Sequence, residues 1–232
     1  MSKSYRGVQR DLTAFEERNW VEKRRGTYHL TTYGEAIANE YRTHHDRIEM
    51  FMEYGEFVSC LPSATMIPDP NCLRDATVSV ADSATPHAPL NHYRETLRSW
   101  DYHSIRGLFP GSCQPVWYVH GTQPTEGVNV EFVVGQPVSD VLETFQSVST
   151  SDGWEPDEVS LYRLDEPIEV GVTLFTERGI LNTYENGQLT ACATFGPGQL
   201  LDWAINRYRT ARNQSTAIDG GGRADGPPLE EG

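Results

Sequence analysis

The sequence predicts an α/β (α+β) protein in which a small helix–hairpin segment precedes a larger domain with a mixed sheet. Within residues 1–33, two short extended runs follow apolar residues at helical spacing. From 62 to 212, strand-like and helix-like segments alternate and then close in a run of strands. A helical pattern over 34–61 links the two parts. The Gly-, Asp- and Pro-rich acidic tail over 213–232 is predicted to be disordered.

The first predicted element is a helix with one apolar face. Val8, Leu12 and Phe15 follow one another at spacings of four and three, as residues on one side of a helix do. Arg6, Gln9 and Arg10 lie on or near the opposite side, close to the start of this helix. Polar side chains at the beginning of a helix that enters a DNA groove are the ones that reach base edges and phosphates.

A hairpin with a cationic tip is predicted next. The extended runs 20–23 and 27–30 are joined by Arg24, Arg25 and Gly26, and glycine is a common residue of tight hairpin turns. Two adjacent arginines at such a tip could lie along a phosphate backbone.

One long helix is predicted over residues 34–59. Its apolar positions alternate spacings of four and three, which is the a/d spacing of a coiled coil. Two interpretations fit this pattern equally. In one, the helix packs on the domain that follows. In the other, it forms a seam between two subunits through Ile37, Tyr41, Ile48 and Phe51.

The larger domain is predicted to alternate strands and helices. Strands are expected over 76–81, 104–109, 116–119, 128–134 and 158–164, and helices over 90–100 and 138–148. An antiparallel meander over 168–175, 180–184 and 189–195 follows, where Asn186 and Gly187 predict a type I′ turn. A last helix begins after Gly198, and its inward residues are expected to be Leu200, Leu201, Ala204 and Tyr208.

The charge of the chain is strongly acidic but unevenly distributed. The 33 acidic residues exceed the 19 basic ones and give a net charge of −14. Lysine occurs only at Lys3 and Lys23, and an acidic, lysine-poor surface suggests a halophilic cytoplasm. Residues 1–34 run the other way, because they hold seven cations against four acids. The cation excess therefore coincides with the predicted helix and hairpin.

The order helix, basic hairpin, helix resembles the second half of a winged helix-turn-helix DNA-binding domain. As far as about residue 212, the chain resembles the archaeal, especially haloarchaeal, winged-helix transcriptional regulators that carry a methanogenesis-regulator-like middle domain. Such domains normally open with two further helices, so the resemblance implies a partial, N-terminally truncated winged helix.

The resemblance also implies a function and a set of partners. It implies a homodimeric, cytoplasmic regulator that binds double-stranded DNA. Its α/β sensor-like domain would respond to a small-molecule or protein effector. The residues placed at the DNA are Ser4, Tyr5, Arg6, Gln9, Arg10, Lys23, Arg24 and Arg25.

The sequence gives no pattern that predicts an enzyme. The phospholipase-D family needs a histidine and a lysine two residues apart, yet no lysine occurs beyond Lys23. The common phosphate-loop, zinc-protease and serine-hydrolase patterns are also missing from the sequence. No cofactor, no metal site and no membrane span are expected. The alternative function is a signal-sensing or protein-interaction module that retains a relic of a winged helix and binds no DNA.

Overall fold

The computed structural model describes residues 4–63, 67–121, 128–136 and 159–218. The chain divides into two compact units, Met1–Glu53 and Tyr54–Gly232, called here the N-terminal and C-terminal units. The N-terminal unit contains a helix–hairpin–helix, and the C-terminal unit contains helices on an eight-stranded mixed sheet. This architecture confirms the predicted α/β (α+β) fold class.

The N-terminal unit has four elements. Helix α1 is Tyr5–Glu17, strands β1 and β2 are Val21–Arg24 and Thr27–Leu30, and helix α2 is Thr32–Glu53. The two strands pair antiparallel as a hairpin.

Helix α1 ends in a Schellman motif that turns the chain into the hairpin. Asn19 has a φ of 59°, and its amide donates to the Glu16 carbonyl at 2.9 Å. The Trp20 amide donates to the Phe15 carbonyl, also at 2.9 Å, and the rings of these two residues lie 5.5 Å apart. Asparagine tolerates the left-handed conformation, and an apolar contact normally accompanies this cap. The motif therefore fixes where β1 leaves α1.

Helix α2 starts against the backbone of Trp20. The Thr31 amide donates to the Trp20 carbonyl at 3.0 Å, while the Thr31 hydroxyl donates to the Asn19 carbonyl at 2.6 Å. The same hydroxyl oxygen accepts from the Gly34 amide at 2.9 Å, which is the role of a helix N-cap. Gly34 is buried so close to Trp20 that an added Cβ would overlap the Trp20 carbonyl oxygen. Thr31 and Gly34, which follow the hairpin, thus hold the start of α2 against the residues that precede the hairpin.

The C-terminal unit is built on one mixed sheet. Its strands are β3 to β10, at Thr77–Val80, Ser104–Phe109, Asn129–Val134, Val159–Arg163, Val170–Leu174, Gly179–Glu185, Gln188–Phe195 and Thr216–Ala217. They are ordered β10-β6-β5-β4-β7-β8-β9-β3. Strands β4, β5 and β6 run parallel, and β7 to β9 form the antiparallel meander. The Asn186–Gly187 turn has φ values of 50° and 77°, which confirms the predicted hairpin turn.

Helices cover both faces of this sheet. They are α3 (Gly55–Cys60), a 3₁₀ turn (Pro70–Leu73), α4 (Ala88–Ser99), α5 (Gln114–Gly121) and α6 (Gln199–Gln214). Residues of α4 and α5 join one buried cluster with alternate residues of the strands, such as Val130 and Phe132. Glu131 points the other way, because side chains alternate along a strand, and there it meets α6.

A small polar group is buried beneath α4 and α5. The Tyr93 hydroxyl lies 2.5 Å from His120 Nε2 and 2.9 Å from the Thr173 hydroxyl. Burial lowers the pKa of His120 to about 3, so this histidine is neutral near neutral pH. The neutral ring satisfies the tyrosine without bringing a charge into the core.

Three predicted segments differ from the structure. Residues 116–119 are helical, within α5, because a short apolar run does not distinguish a strand from a buried helix. The single helix predicted over 34–59 breaks at Tyr54, where φ is −105° and ψ is 16°. The tail from residue 213 begins ordered, since α6 continues to Gln214 and β10 pairs with β6.

Other predicted elements match or cannot be compared. The inward residues of the last helix, Leu200, Leu201, Ala204 and Tyr208, are buried as predicted. The helix predicted over 138–148 and the tail beyond 218 lie outside the described residues. Among the residues that the structure describes, no helix has the length and apolar character needed to cross a membrane.

Substitution of Gly34 by alanine should destabilise the N-terminal unit. The new Cβ would overlap the Trp20 carbonyl, so the first turn of α2 must move away and strain its hydrogen bonds to the hairpin. Overpacking of this kind costs about 1–3 kcal/mol, against a gain of up to about 1 kcal/mol in helix propensity. Native-state amide exchange of β1 and β2 measures the net loss.

The matched control is Gly55→Ala at the start of α3, where an added Cβ meets no atom within 4 Å. This variant should be neutral or slightly stabilised. Equal exchange rates for Gly34→Ala and wild type would show that the close contact at Trp20 does not hold the hairpin.

Candidate nucleic-acid interface

The start of α1 presents its polar side chains to solvent. Ser4 is the N-cap, with an extended backbone and a hydroxyl that accepts from the Gly7 amide at 3.3 Å. Tyr5 follows with 78% of its surface exposed. Arg6, Gln9 and Arg10 are also exposed, and neither arginine makes an ion pair with any residue that the structure describes. These side chains are therefore available to a partner.

The hairpin carries cations on both of its sides. Lys23 is opposite Tyr28 in the register, and its ammonium lies 5.2 Å from the centre of the tyrosine ring. Arg24 points to the other side and pairs with Glu22, two residues earlier on the same strand. A surface ion pair of this kind contributes little free energy. The pairing leaves most of the Arg24 side chain exposed, at 69%.

The hairpin turn places an arginine in an unfavourable backbone conformation. Arg25 has a φ of 51° and Gly26 a φ of 86°, which are the two left-handed positions of a type I′ turn. Asparagine, aspartate and glycine favour the first position, whereas other residues cost about 1–2 kcal/mol there. Strain that a sequence retains suggests a role for the side chain that causes it. The guanidinium of Arg25 is therefore the strongest functional candidate of the hairpin.

All eight residues predicted to contact DNA are described, exposed and within the N-terminal unit. They form two groups, one at the start of α1 and one at the hairpin. The sequence interpretation missed Glu22 as the partner of Arg24, although two residues on one strand share a side. It also missed Thr31 as the link between the hairpin and α2. The available signal was a threonine immediately before the helical pattern, which is the usual position of an N-cap.

The N-terminal unit also carries apolar side chains on its surface. Every large hydrophobic residue found strongly exposed in the described part of the chain belongs to residues 5–52. The seam predicted for subunit contact is largely exposed, with Ile48 at 48%, Phe51 at 41% and Tyr41 at 69%. Ile37 is half-buried. Tyr33 and Met52 extend the same side of α2, since they continue the spacing of three and four.

One group of side chains on α2 has the residue types of a metal site. Atoms of His45, Asp46 and Glu49 lie within 4.8 Å of one another, and His45 Nδ1 is 3.5 Å from a Glu49 oxygen. All three residues are exposed. Helix geometry alone brings residues four apart together, so this cluster gives no reason to assign a metal.

Two family matches cover most of the chain. Residues 86–214 match the family described as "Methanogenesis regulatory protein FilR1, middle domain", which is more than half of the 232 residues. Residues 2–53 match the family described as "HVO_A0261 N-terminal domain". The predicted resemblance to a methanogenesis-regulator middle domain is confirmed. No curated protein shows a significant match to the chain.

Three solved structures are distantly similar. TrmBL2, described as an archaeal chromatin protein with a novel mode of DNA binding, shares 10% identity at a TM-score of 0.43, over 89% of this chain and 80% of its own. The phospholipase D family member Nuc from Salmonella typhimurium shares 12% identity at a TM-score of 0.45, over 62% of this chain and 99% of its own. Polyphosphate kinase from Porphyromonas gingivalis shares 10% identity at a TM-score of 0.42, over 68% of this chain and 28% of its own. These TM-scores lie below 0.5, so none of the three indicates a function.

Replacement of Arg25 by asparagine should stabilise the hairpin and weaken its binding to duplex DNA. Asparagine removes the left-handed strain, worth about 1 kcal/mol, and also removes the cation. Amide exchange of Thr27–Leu30 measures the first effect, and fluorescence anisotropy with a duplex of random sequence measures the second. Arg25→Lys is the control, because it keeps both the charge and the strain. An Arg25→Asn variant that binds duplex DNA like wild type would remove the tip from the interface.

Proposed function

Because this chain belongs to the family of the methanogenesis regulatory protein FilR1 middle domain, we propose that it is a transcriptional regulator that binds double-stranded DNA. Its N-terminal unit would be the DNA reader, a partial winged helix. Its C-terminal unit would be the regulatory domain that responds to an effector. The scarcity of lysine, with two among 19 cations, supports a halophilic cytoplasm.

The observation that carries this proposal is a set of exposed cations in residues 5–25, of which Arg6, Arg10 and Arg25 make no ion pair with any residue that the structure describes. Arg6 and Arg10 lie at the start of α1 without an ion-pair partner among the described residues. Arg25 occupies a strained turn position that a different residue would fill more favourably. These three arginines carry positive charge in a chain whose net charge is −14. Exposed cations that make no ion pair with the described residues are available to a polyanionic partner.

The two groups of side chains suit different parts of a duplex. Helix α1 is narrow enough to enter the major groove, where arginine reads guanine and glutamine reads adenine through paired hydrogen bonds. Arg6, Gln9 and Arg10 are assigned to base edges and Ser4 and Tyr5 to the adjacent phosphates. Lys23, Arg24 and Arg25 at the hairpin are assigned to the flanking backbone, since they offer charge without a fixed pattern.

The acidity of the remaining chain restricts how DNA can approach. Residues 1–34 carry seven cations and four acids, so the rest of the chain holds the acidic excess. The net acidic charge of the remaining chain opposes the approach of DNA, whereas the cation excess of residues 1–34 favours it. At high salt, phosphate contacts lose much of their advantage. Binding in a halophilic cytoplasm would then depend more strongly on base contacts.

A homodimer is proposed through α2. The apolar side of this helix repeats at the four–three spacing that two identical helices use when they pack together. The exposure of Tyr41, Ile48 and Phe51 leaves this side free of intrachain cover. A second copy of the chain presents the same stripe, which is the property of an isologous interface.

An interaction module without DNA binding is the second candidate. It is favoured by the exposed Val8 and Phe15, at 43% and 39%, together with Leu30 at 46%. These apolar side chains would contact a protein partner. The two candidates make opposite demands on α1, because one uses its polar side and the other its apolar side.

Replacement of Arg10 by alanine should weaken sequence-specific DNA binding. Selection from a random duplex pool with the wild-type chain supplies the preferred site, and anisotropy then compares the variants on it. Loss of one arginine–guanine contact costs about 1–3 kcal/mol and relaxes the preference at one base pair. Arg42→Ala, an exposed arginine on α2, changes the charge equally and should bind as wild type does. If wild type selects no sequence while Val8→Asp abolishes capture of a protein, the interaction module replaces the regulator.

Replacement of Ile48 by aspartate should dissociate the dimer. The new carboxylate would be buried between the apolar sides of two helices, and its desolvation costs several kcal/mol. The C-terminal unit should stay folded, and DNA affinity should fall because two linked half-sites bind more tightly than one. Light scattering measures the mass, and Thr43→Asp on the opposite side of α2 is the control. A monomeric wild type, or an Ile48→Asp chain that remains dimeric, places the seam elsewhere.

A further inference from the structure

A cavity in the C-terminal unit lies between the sheet and α6. It has a volume of about 210 Å³ and is lined by Ser104 and Arg106 on β4, by Leu174 at the end of β7 with Phe175 and Thr176 after it, and by Ile205, Tyr208 and Arg209 on α6. Arg106 and Leu174 are directly opposite in the β4–β7 register, so they form its floor. The cavity is thus built from two strands and a helix rather than from loops alone.

Two arginines line this cavity without a carboxylate partner. Arg106 is half-buried and Arg209 is exposed, and neither side chain makes an ion pair or hydrogen bond with any residue that the structure describes. The contrast with Arg212 on the same helix is direct, because its Nε lies 3.2 Å from a Glu131 oxygen. A half-buried guanidinium is costly unless something pairs with it.

The nearest carboxylate in the sheet is already engaged. Glu131 is the register neighbour of Arg106 on β5. One of its oxygens accepts from the Tyr208 hydroxyl and the other from Arg212. Desolvation and this hydrogen bond together raise the pKa of Tyr208, so the tyrosine stays a neutral donor to Glu131. The network keeps Glu131 on the Arg212 side and leaves Arg106 facing the cavity without an acid.

From this geometry we propose that the cavity binds a small organic oxyanion, a carboxylate or a phosphate ester. Guanidinium groups offer planar paired donors that match carboxylate and phosphate oxygens. The hydroxyls of Ser104 and Thr176 line the same space as further donors, while Leu174, Phe175 and Ile205 provide an apolar wall. A volume below the range of about 300–1,000 Å³ that drug-sized ligands occupy restricts the ligand to a small molecule.

A larger cavity on α6 is the weaker candidate for an anion. It holds about 330 Å³ and is lined by Arg207 and Trp203, but also by the carboxylate of Glu166. The guanidinium of Arg207 lies 5.8 Å from the centre of the Trp203 ring, and its buried Nε has no hydrogen-bond partner among the described residues. An acid at the site and a single arginine suit an anionic ligand less well than the Arg106–Arg209 pair.

The proposed site assigns a chemical class to the effector of the proposed regulator. A role of this site in regulation therefore rests on the proposed function. Binding itself does not depend on DNA. Calorimetry and DNA anisotropy on the same chain therefore separate the two. An oxyanion that binds while duplex DNA does not would leave the site intact and remove the regulator, and the reverse result would remove only the site.

Isothermal titration of the full chain tests the proposal, with inorganic phosphate and succinate as probes and potassium chloride holding the ionic strength constant. At least one probe should bind saturably with one site per chain. Phosphate alone indicates a phosphate ester as the natural ligand, and succinate alone indicates a carboxylate. Arg209→Gln, at an exposed position, should weaken binding about tenfold, since one charge-assisted hydrogen bond is lost.

The half-buried position needs a second variant. Arg106→Gln should abolish binding, and Arg106→Lys, which keeps the charge, should retain part of it if the chain stays folded. Arg98→Gln on α4, on the opposite face of the sheet, is the control and should bind as wild type does. Failure of both probes to bind would overturn the site. Equal binding by wild type and Arg209→Gln would do the same.

Discussion

The arrangement of the N-terminal unit depends on the backbone of Trp20. Its carbonyl accepts from Thr31 at 3.0 Å, its amide closes the end of α1 on Phe15, and Gly34 of α2 lies against it without room for a Cβ. Between residues 4 and 53, the structure buries only Val21, Gly34 and Met50. So thin a core cannot fix the direction of α1 and the hairpin by side-chain packing alone. Hydrogen bonds of the Trp20 backbone therefore help to fix the directions of α1 and the hairpin.

Charge rather than packing distinguishes the surfaces of this chain. In the C-terminal unit, Arg163 pairs with Asp165 and Arg212 pairs with Glu131. Arg6, Arg10 and Arg25 among the proposed DNA contacts, and Arg106 and Arg209 at the cavity under α6, make no ion pair with any residue that the structure describes. A guanidinium that meets no carboxylate is available to pair with an anionic ligand. Both proposals rest on this physical signal, and they concern different ligands, a polyanion and a small anion.

Local patterns in the sequence predicted most elements but not their long-range contacts. Asn186–Gly187, the run of valines in β5 and the basic hairpin each carry a local signal that tertiary structure does not override. The helix α5 was predicted as a strand, because a short apolar segment fits either element when it is buried on all sides. The unpaired state of Arg106 could not be predicted, since it depends on Glu131 being held by two residues of α6 that lie some eighty positions further along the chain.

The most direct test of the proposed DNA-reading role is where duplex DNA protects the chain. Amide exchange followed by mass spectrometry, with and without a duplex at low salt, measures this for every segment at once. Slower exchange at the start of α1 and across the β1–β2 hairpin is predicted, with the strands β7 to β9 unchanged. Protection confined to the C-terminal unit would contradict a reader built from residues 4–34. So would a chain that binds the duplex while no segment becomes protected.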